Sequence, residues 1–147
     1  MKQSQIIDKL VKHDIKPSLQ RIAVMQYLDL HKTHPSVDEI FNVLSKDMPT
    51  LSRTTVYNVL KLLYSKGLIQ MITINEKQVL FDSNLENHAH FICKSCNKVV
   101  DLSLPETIKE TQNFMIENNL IEETHVYYKG ICSECLKNRN KNKNYEL

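Results

Sequence analysis

Every cysteine of the chain falls in one of two short pairs, Cys93-Lys-Ser-Cys96 and Cys132-Ser-Glu-Cys135. A two-residue gap lets both thiolates of a tight turn face one ion. Two such turns complete a tetrahedral all-sulfur shell, which suits Zn(II). The pairs are 35 residues apart. That is longer than a compact zinc ribbon, so an ion there would staple the two ends of a module. Four protein ligands leave no open position, so such a zinc is expected to be structural and not catalytic. Two other chemistries use the same residues. Disulfides belong to oxidising compartments. A redox C-x-x-C belongs with a thioredoxin-like βαβ pattern, which is not evident here.

A second set mixes nitrogen and oxygen donors. His88-Ala-His90 opens a segment of strand character, where side chains at i and i+2 share a face and both imidazoles can reach one ion. His34 stands in His-Pro, Asp82 follows an apolar hairpin, and Asp101 ends the strand after Cys96. Such a set suits Fe(II), Mn(II) or Zn(II) better than Cu(I) or a cluster. The same residues also fit plainer roles, a polar strand face for His-x-His and a loop for His-Pro.

The elements that must position these groups follow from periodicity. Residues 3 to 14 read as a helix with Ile6, Ile7, Leu10 and Val11 on one face, stopped by Pro17. Ser18 caps a second helix to about His31. Ser36 to Glu39 forms a capping box that starts a third, and Pro49 ends it. Ser52 caps a fourth, which closes near Gly67. The period then shifts toward 2 over Leu68–Ile74 and Gln78–Phe81, a β-hairpin. Helices followed by a hairpin form a winged helix-turn-helix pattern with 52 to 66 as recognition helix. An α+β fragment without a nucleic-acid role has the same pattern. Further on, 90 to 92 and 99 to 102 read as strands, Pro105 opens a helix to about Asn118, and Glu123–Ile131 reads as another strand.

The fold class expected is therefore α+β. The domains are a winged helix at 1–82, a hinge at 83–89, an α/β module at 90–136 and a basic disordered tail at 137–147. Composition agrees, with 41% apolar and 24% charged residues in 147, ordinary globular usage. No apolar run reaches the roughly 18 residues of a membrane span. The start lacks a secretory h-region, so a cytoplasmic protein with no membrane partner is expected. Residues 1–82 carry 11 basic and 8 acidic groups, 83–135 carry 4 and 8, and 136–147 carry 4 and 1. A basic half followed by an acidic one suggests two modules with different tasks.

The order His-Pro-Ser-Val-Asp-Glu-Ile, Ser-Arg-Thr-Thr-Val-Tyr-Asn-Val-Leu, His-Ala-His-Phe-Ile-Cys-Lys-Ser-Cys and Gly-Ile-Cys-Ser-Glu-Cys resembles the ferric uptake regulator (Fur) superfamily over about residues 5 to 136. The resemblance implies a homodimeric repressor that binds a pseudo-palindromic double-stranded DNA operator. A C-terminal domain would dimerise around the structural zinc. His34, Asp82, His88, His90 and Asp101 would hold a regulatory Fe(II) or Mn(II). Iron-sensing members carry a Glu one place before Asp82, where this chain has Phe81, so the sequence is most similar to the peroxide-sensing (PerR-type) branch. In that branch iron-catalysed oxidation adds oxygen to a ligand imidazole, here His34 or His88. A further family site is poorly matched at Asn87, Ala89 and Ile108, and His125 reads as an exposed strand residue.

DNA contacts are expected from Lys16, Arg53, Tyr57, Asn58 and Lys61. Tyr57 and Lys16 match family contact positions, the latter in the minor groove. Arg53 stands where the family has small or apolar residues. It is suited to bidentate reading of guanine, to a phosphate contact, or simply to an exposed charge at the helix start. Arg21 is expected to pair with an acidic side chain inside the domain. The alternatives are an iron-responsive Fur-type repressor and, from another class, a metalloenzyme using the His/Asp set. No substrate pocket is evident for an enzyme.

Overall fold

The computed structural model describes residues 1–75, 77–108 and 112–143. The chain divides into two compact units, Met1–Leu85 and Glu86–Leu147. The first holds α1 (Gln3–Lys12), α2 (Leu19–Leu30), α3 (Val37–Leu44), α4 (Arg53–Ser65), β1 (Gln70–Ile72) and β2 (Leu80–Asp82). α2, α3 and α4 each begin where a side chain satisfies orphan N–H groups. Ser18 accepts from the Arg21 N–H and Ser52 from the Thr55 N–H. Ser36 and Glu39 form a reciprocal box, with bonds of 3.3 and 2.7 Å. Two helix ends differ from expectation. Asp14 turns left-handed (φ 56°) after α1, before Pro17 is reached. α3 stops at Leu44, in a turn that precedes Pro49.

The apolar faces of the four helices meet β2 in one core. Ile6, Leu10, Met25, Ile40, Leu60 and Phe81 are almost fully buried there. β1 and β2 pair antiparallel with Met71 opposite Phe81, forming a shorter hairpin than the periodicity suggests. The Phe81 N–H donates to the Pro35 carbonyl at 3.0 Å, and Ser36 makes an isolated antiparallel bridge with Leu80. The loop before α3 is thus sewn to the hairpin.

The second unit holds β3 (Ala89–Cys93), β4 (Val99–Leu102), β5 (Phe114–Ile116), β6 (Asn119–Ile121), β7 (Tyr127–Gly130) and α5 (Ser133–Lys143). β3 is the centre of a sheet ordered β4-β3-β7, antiparallel to β4 and parallel to β7. Its buried apolar residues, among those described, are only Ala89, Ile92 and Cys93.

Two expectations fail in this unit. The helix expected from Pro105 to Asn118 is not formed at its far end, and residues 109–111 lie outside the described residues. Phe114–Ile116 pairs with Asn119–Ile121 instead. Glu117 and Asn118 both take positive φ (48° and 65°), the geometry of a two-residue hairpin turn. β-branched and aromatic residues on both sides favour strand over helix. The tail expected to be disordered is helical through Lys143, and 144–147 lie outside the described residues. The Leu136 N–H donates to the Cys132 carbonyl at 2.9 Å, closing the first turn of that helix. Among the described residues, no helix is long and apolar enough to cross a membrane.

Phe81 carries the largest fully buried side chain, so Phe81→Ala should lower unfolding stability by about 3–5 kcal/mol. Urea unfolding followed by circular dichroism measures it. A loss under about 1 kcal/mol would contradict the packing described.

Candidate metal centres and nucleic-acid face

The four cysteines come from both ends of the second unit. Cys93 ends β3, and Cys96 follows in a tight turn closed by the Asn97 N–H on the Cys93 carbonyl at 2.8 Å. Asn97 takes φ 61° there, a conformation asparagine tolerates. β3 lies beside β7 with Cys93 opposite Gly130. A Cβ on Gly130 would come within 3.3 Å of the Phe91 ring, so glycine lets the two strands close. Cys132 and Cys135 then sit at the start of α5.

All four sulfurs lie within 4.8 Å of one another. Cys96 and Cys132 are 3.8 Å apart, about the edge of a ZnS4 tetrahedron with Zn–S bonds of about 2.3 Å. The donor set therefore fits zinc. The Cys132 N–H donates to the Cys93 sulfur at 3.3 Å, and this bond, with others from the turn backbone, holds the Cys93 thiol down at about 6. Cys135, sharing its proton with Cys132, is pushed up to about 12.

The regulatory candidates fall into one group in each unit. In the first, His34 and Asp82 are both buried, with Nε2 and Oδ2 3.6 Å apart. The sewn loop and hairpin make this pair. Asp82 Oδ1 accepts from the Asn84 N–H at 2.8 Å, which turns Oδ2 toward the imidazole. Ser83 anchors the same strand end to the Leu28 carbonyl at 3.0 Å. His34 holds φ 55° directly before a proline. Such backbone strain persists only where its surroundings over-determine it.

In the second unit His90 stands opposite Asp101 across β3 and β4. His88, two residues earlier, brings its Nε2 to 2.9 Å from that of His90. Asp101 Oδ1 lies 3.3 Å from His88 Nε2 and 3.5 Å from His90 Nε2. His88 Nδ1 is 2.5 Å from the Glu86 carbonyl. In that contact Nδ1 is the donor, and Nε2 points to the face shared with His90 and Asp101, a common orientation for ligand histidines. Two nitrogens and a carboxylate converge here, and the chemistry of this donor set fits a borderline divalent cation. Tyr127, opposite His90 on β7, has its ring 6.1 Å away. Nothing local in the sequence marks it, because the pairing of β3 with β7 joins segments far apart along the chain. His125 is exposed, lies before β7 and not within it, and contacts Glu123 at 3.1 Å.

On α4, Arg53, Tyr57, Asn58 and Lys61 all lie on the exposed face, opposite Val56, Val59 and Leu60. Lys61 Nζ rests 5.5 Å from the Tyr57 ring centroid. Lys16 and Asn58 line one cleft of about 510 Å³ between the start of α2 and α4. Arg53 has partners that the sequence did not disclose. Its Nε donates to Asp38 at 2.7 Å, and its guanidinium lies 4.4 Å over Phe41. Among the described residues, Arg21 does not use an acidic side chain as its hydrogen-bond acceptor. It donates to the Lys16 carbonyl at 2.6 Å, so it shapes the turn that carries Lys16.

The cysteine geometry has a measurable consequence. A thiol whose pKa is lowered to about 6 has already lost its proton at pH 7.5. Zinc binding to the metal-free protein at that pH should therefore release fewer than four protons, measured by calorimetry in buffers of different ionisation enthalpy. Release of all four would contradict the Cys93 environment. The loaded chain should hold about one zinc at this site.

The family model described as "Ferric uptake regulator family" matches residues 12–129. The peroxide-responsive repressor PerR of Staphylococcus aureus is 35% identical over 123 residues, 82% of each chain. The Campylobacter jejuni peroxide stress regulator is similar in structure, with a TM-score of 0.60 at 27% identity over 92% of this chain and 100% of that one. The Helicobacter pylori ferric uptake regulator Fur reaches a TM-score of 0.71 at 23% identity, over 92% and 95% of the two chains, a likeness of fold. Members of the matched family are transcriptional regulators that bind DNA as dimers, and are not enzymes. The chain belongs to the ferric uptake regulator family and is one of its metal-dependent regulators.

Proposed function

We propose that the protein is a repressor that senses hydrogen peroxide through Fe(II) held by His34, Asp82, His88, His90 and Asp101. The observation that carries this reading is Asp82. It is the carboxylate after the hairpin, it is buried, and its Oδ2 is turned to His34. Position 81, where iron sensors of the family place a glutamate, is a core phenylalanine. Relatives named as peroxide-responsive repressors support the same branch.

Each unit contributes too few donors to hold such an ion strongly alone. An ion taken by both groups together favours the interdomain arrangement that binds it best. In that arrangement the two α4 helices of a dimer would meet successive major grooves of a pseudo-palindromic operator. Metal and operator then strengthen each other's binding reciprocally. The second unit exposes Met115, Ile116 and Leu120 on its β5–β6 hairpin, together with Leu102 and Tyr128, apolar surface suited to a partner copy.

Ferrous iron, if held by these residues, would supply the electrons that reduce hydrogen peroxide beside its ligands. His34 or His88 would receive one oxygen of the peroxide at the imidazole carbon and become 2-oxo-histidine, the other oxygen leaving as water. The oxidised ring donates less strongly, so the closed arrangement loses its ligand and the operator is released. Mn(II) would fill the same donors without this reaction. Each chain reacts once, and no turnover is involved.

Two experiments test this. Mn(II) should tighten operator binding, and Asp82→Ala should remove that gain while the zinc content stays unchanged. Equal affinity with and without Mn(II) in the unaltered chain would exclude metal control. For the signal, the Fe(II)-loaded protein receives about one equivalent of hydrogen peroxide and its peptides are mapped by mass spectrometry beside a Mn(II) control. One added oxygen on His34 or His88, only with iron and together with loss of DNA binding, is expected. Intact histidines with unchanged DNA binding would assign the chain to iron-responsive repression instead.

A further inference from the structure

Beyond the family match, which ends at residue 129, the chain continues into α5 with the sequence Ser-Glu-Cys-Leu-Lys-Asn-Arg-Asn-Lys-Asn-Lys. We propose that α5 is an accessory DNA arm that grips the phosphate backbone outside the bases read by α4. The inference rests on DNA binding by the family and not on which signal the regulator senses.

α5 has no apolar face to bury. Every residue from Leu136 to Lys141 is exposed. Its anchorage is at its start, where Cys132 and Cys135 belong to the thiolate cluster and Lys98 lies 3.9 Å from Glu134. From there a basic residue recurs at every second position: Lys137, Arg139, Lys141 and Lys143. Among the described residues, no carboxylate pairs with Lys137, Arg139 or Lys141. Packing therefore does not explain this composition.

Helix energetics do not explain it either. Lys137 and Lys141, like Arg139 and Lys143, are like charges at i and i+4, a spacing that destabilises a helix. Asparagine alternates with them and is a modest helix former. Cations near a helix C-terminus gain from the dipole, but Lys137 lies in the first half. A polyanion relieves the repulsion that the sequence builds in. Lys137, Arg139 and Lys141, along about 6 Å of helix axis, would face a duplex that carries one negative charge per about 1.7 Å. The intervening asparagine amides can bond to phosphate and sugar oxygens. An anionic membrane is the weaker occupant, because an interfacial helix needs an apolar face and α5 offers Leu136 alone. The contrast with its surroundings is also sharp, since residues 83–135 carry 8 acidic against 4 basic groups.

The test compares the full chain with a Lys137→Gln, Arg139→Gln, Lys141→Gln variant, both Mn(II)-loaded. Fluorescence anisotropy follows binding to an operator duplex obtained by in vitro selection and to an unrelated duplex, over a salt series. Zinc content and dimer mass establish that the variant is folded. The variant should bind both duplexes at least about tenfold more weakly near 0.1 M salt, with an unchanged ratio between them. Its salt slope should be shallower by up to about 0.9 per lost phosphate contact. Unchanged affinity and slope overturn the arm, as does a change confined to the operator, which would mean base reading. Weakened binding to anionic vesicles with unaltered DNA binding also overturns it, in favour of a membrane. If Mn(II) has no effect on either protein while the variant still binds more weakly, the sensor reading fails and the arm stands.

Discussion

Four thiolates do in the second unit what a hydrophobic core does in the first. Ala89, Ile92 and Cys93 are the apolar residues it buries among those described, far short of what stabilises a module of this size. The cysteines come from the end of β3, the turn after it and the start of α5, so one ion held by them would close the parallel β3–β7 pair and both its flanks. The pKa pattern has the same origin. Backbone N–H groups folded around Cys93 favour its thiolate, a donor environment already arranged for a cation. The exposed apolar side chains of the β5–β6 hairpin fit this economy too, because a unit without its own core gains by meeting a second copy.

The first unit is organised differently, and its packing reaches His34 and Asp82. Phe81 fills the core and its N–H holds the Pro35 carbonyl. Asp82 is the next residue along β2, and His34 precedes Pro35. A single backbone bond and one β-bridge thus convert core packing into the approach of an imidazole to a carboxylate. The left-handed His34 is the local strain this requires, and a full core makes that strain affordable. In the second unit the equivalent device is register. His90 and Asp101 face each other because β3 and β4 pair as they do, and a slip of one residue would send His88 and His90 to the other face.

What the sequence discloses follows the range of each interaction. Helix starts were legible, because Ser18, Ser36 and Ser52 act on backbone three residues away. The cysteine pairs were legible because a chelate turn is itself local, and His88 with His90 because strand periodicity is 2. The stretch after Pro105 misled for a related reason. Its helix-start signal was read, but the left-handed pair Glu117 and Asn118 lacks the Asn-Gly or Asp-Gly that marks a hairpin turn. α5 was missed because its composition argues against order, and its anchor lies in thiolates that a composition argument does not count. Arg53 meeting Asp38 and Phe41 depends on how α3 packs on α4, which no spacing along the chain encodes.

On the proposed reading two ions in one small chain would have to be kept apart, and donor softness would do half of this. The all-sulfur cluster strongly prefers zinc, whereas the imidazole and carboxylate donors are borderline to hard. The reverse discrimination is weaker. By the general order of divalent affinities, zinc would bind the N/O donors more tightly than iron or manganese does, and zinc has no redox chemistry with peroxide. Ligand choice alone therefore cannot make those five residues an iron site. On the proposed reading their occupancy follows which ion is free in the cell, and the sulfur site, filled first, leaves the second set to the more abundant and weaker-binding ions. Sensitivity to peroxide then depends on the iron to manganese balance as much as on peroxide itself, because the same protein residues are closed by either ion and oxidised with only one.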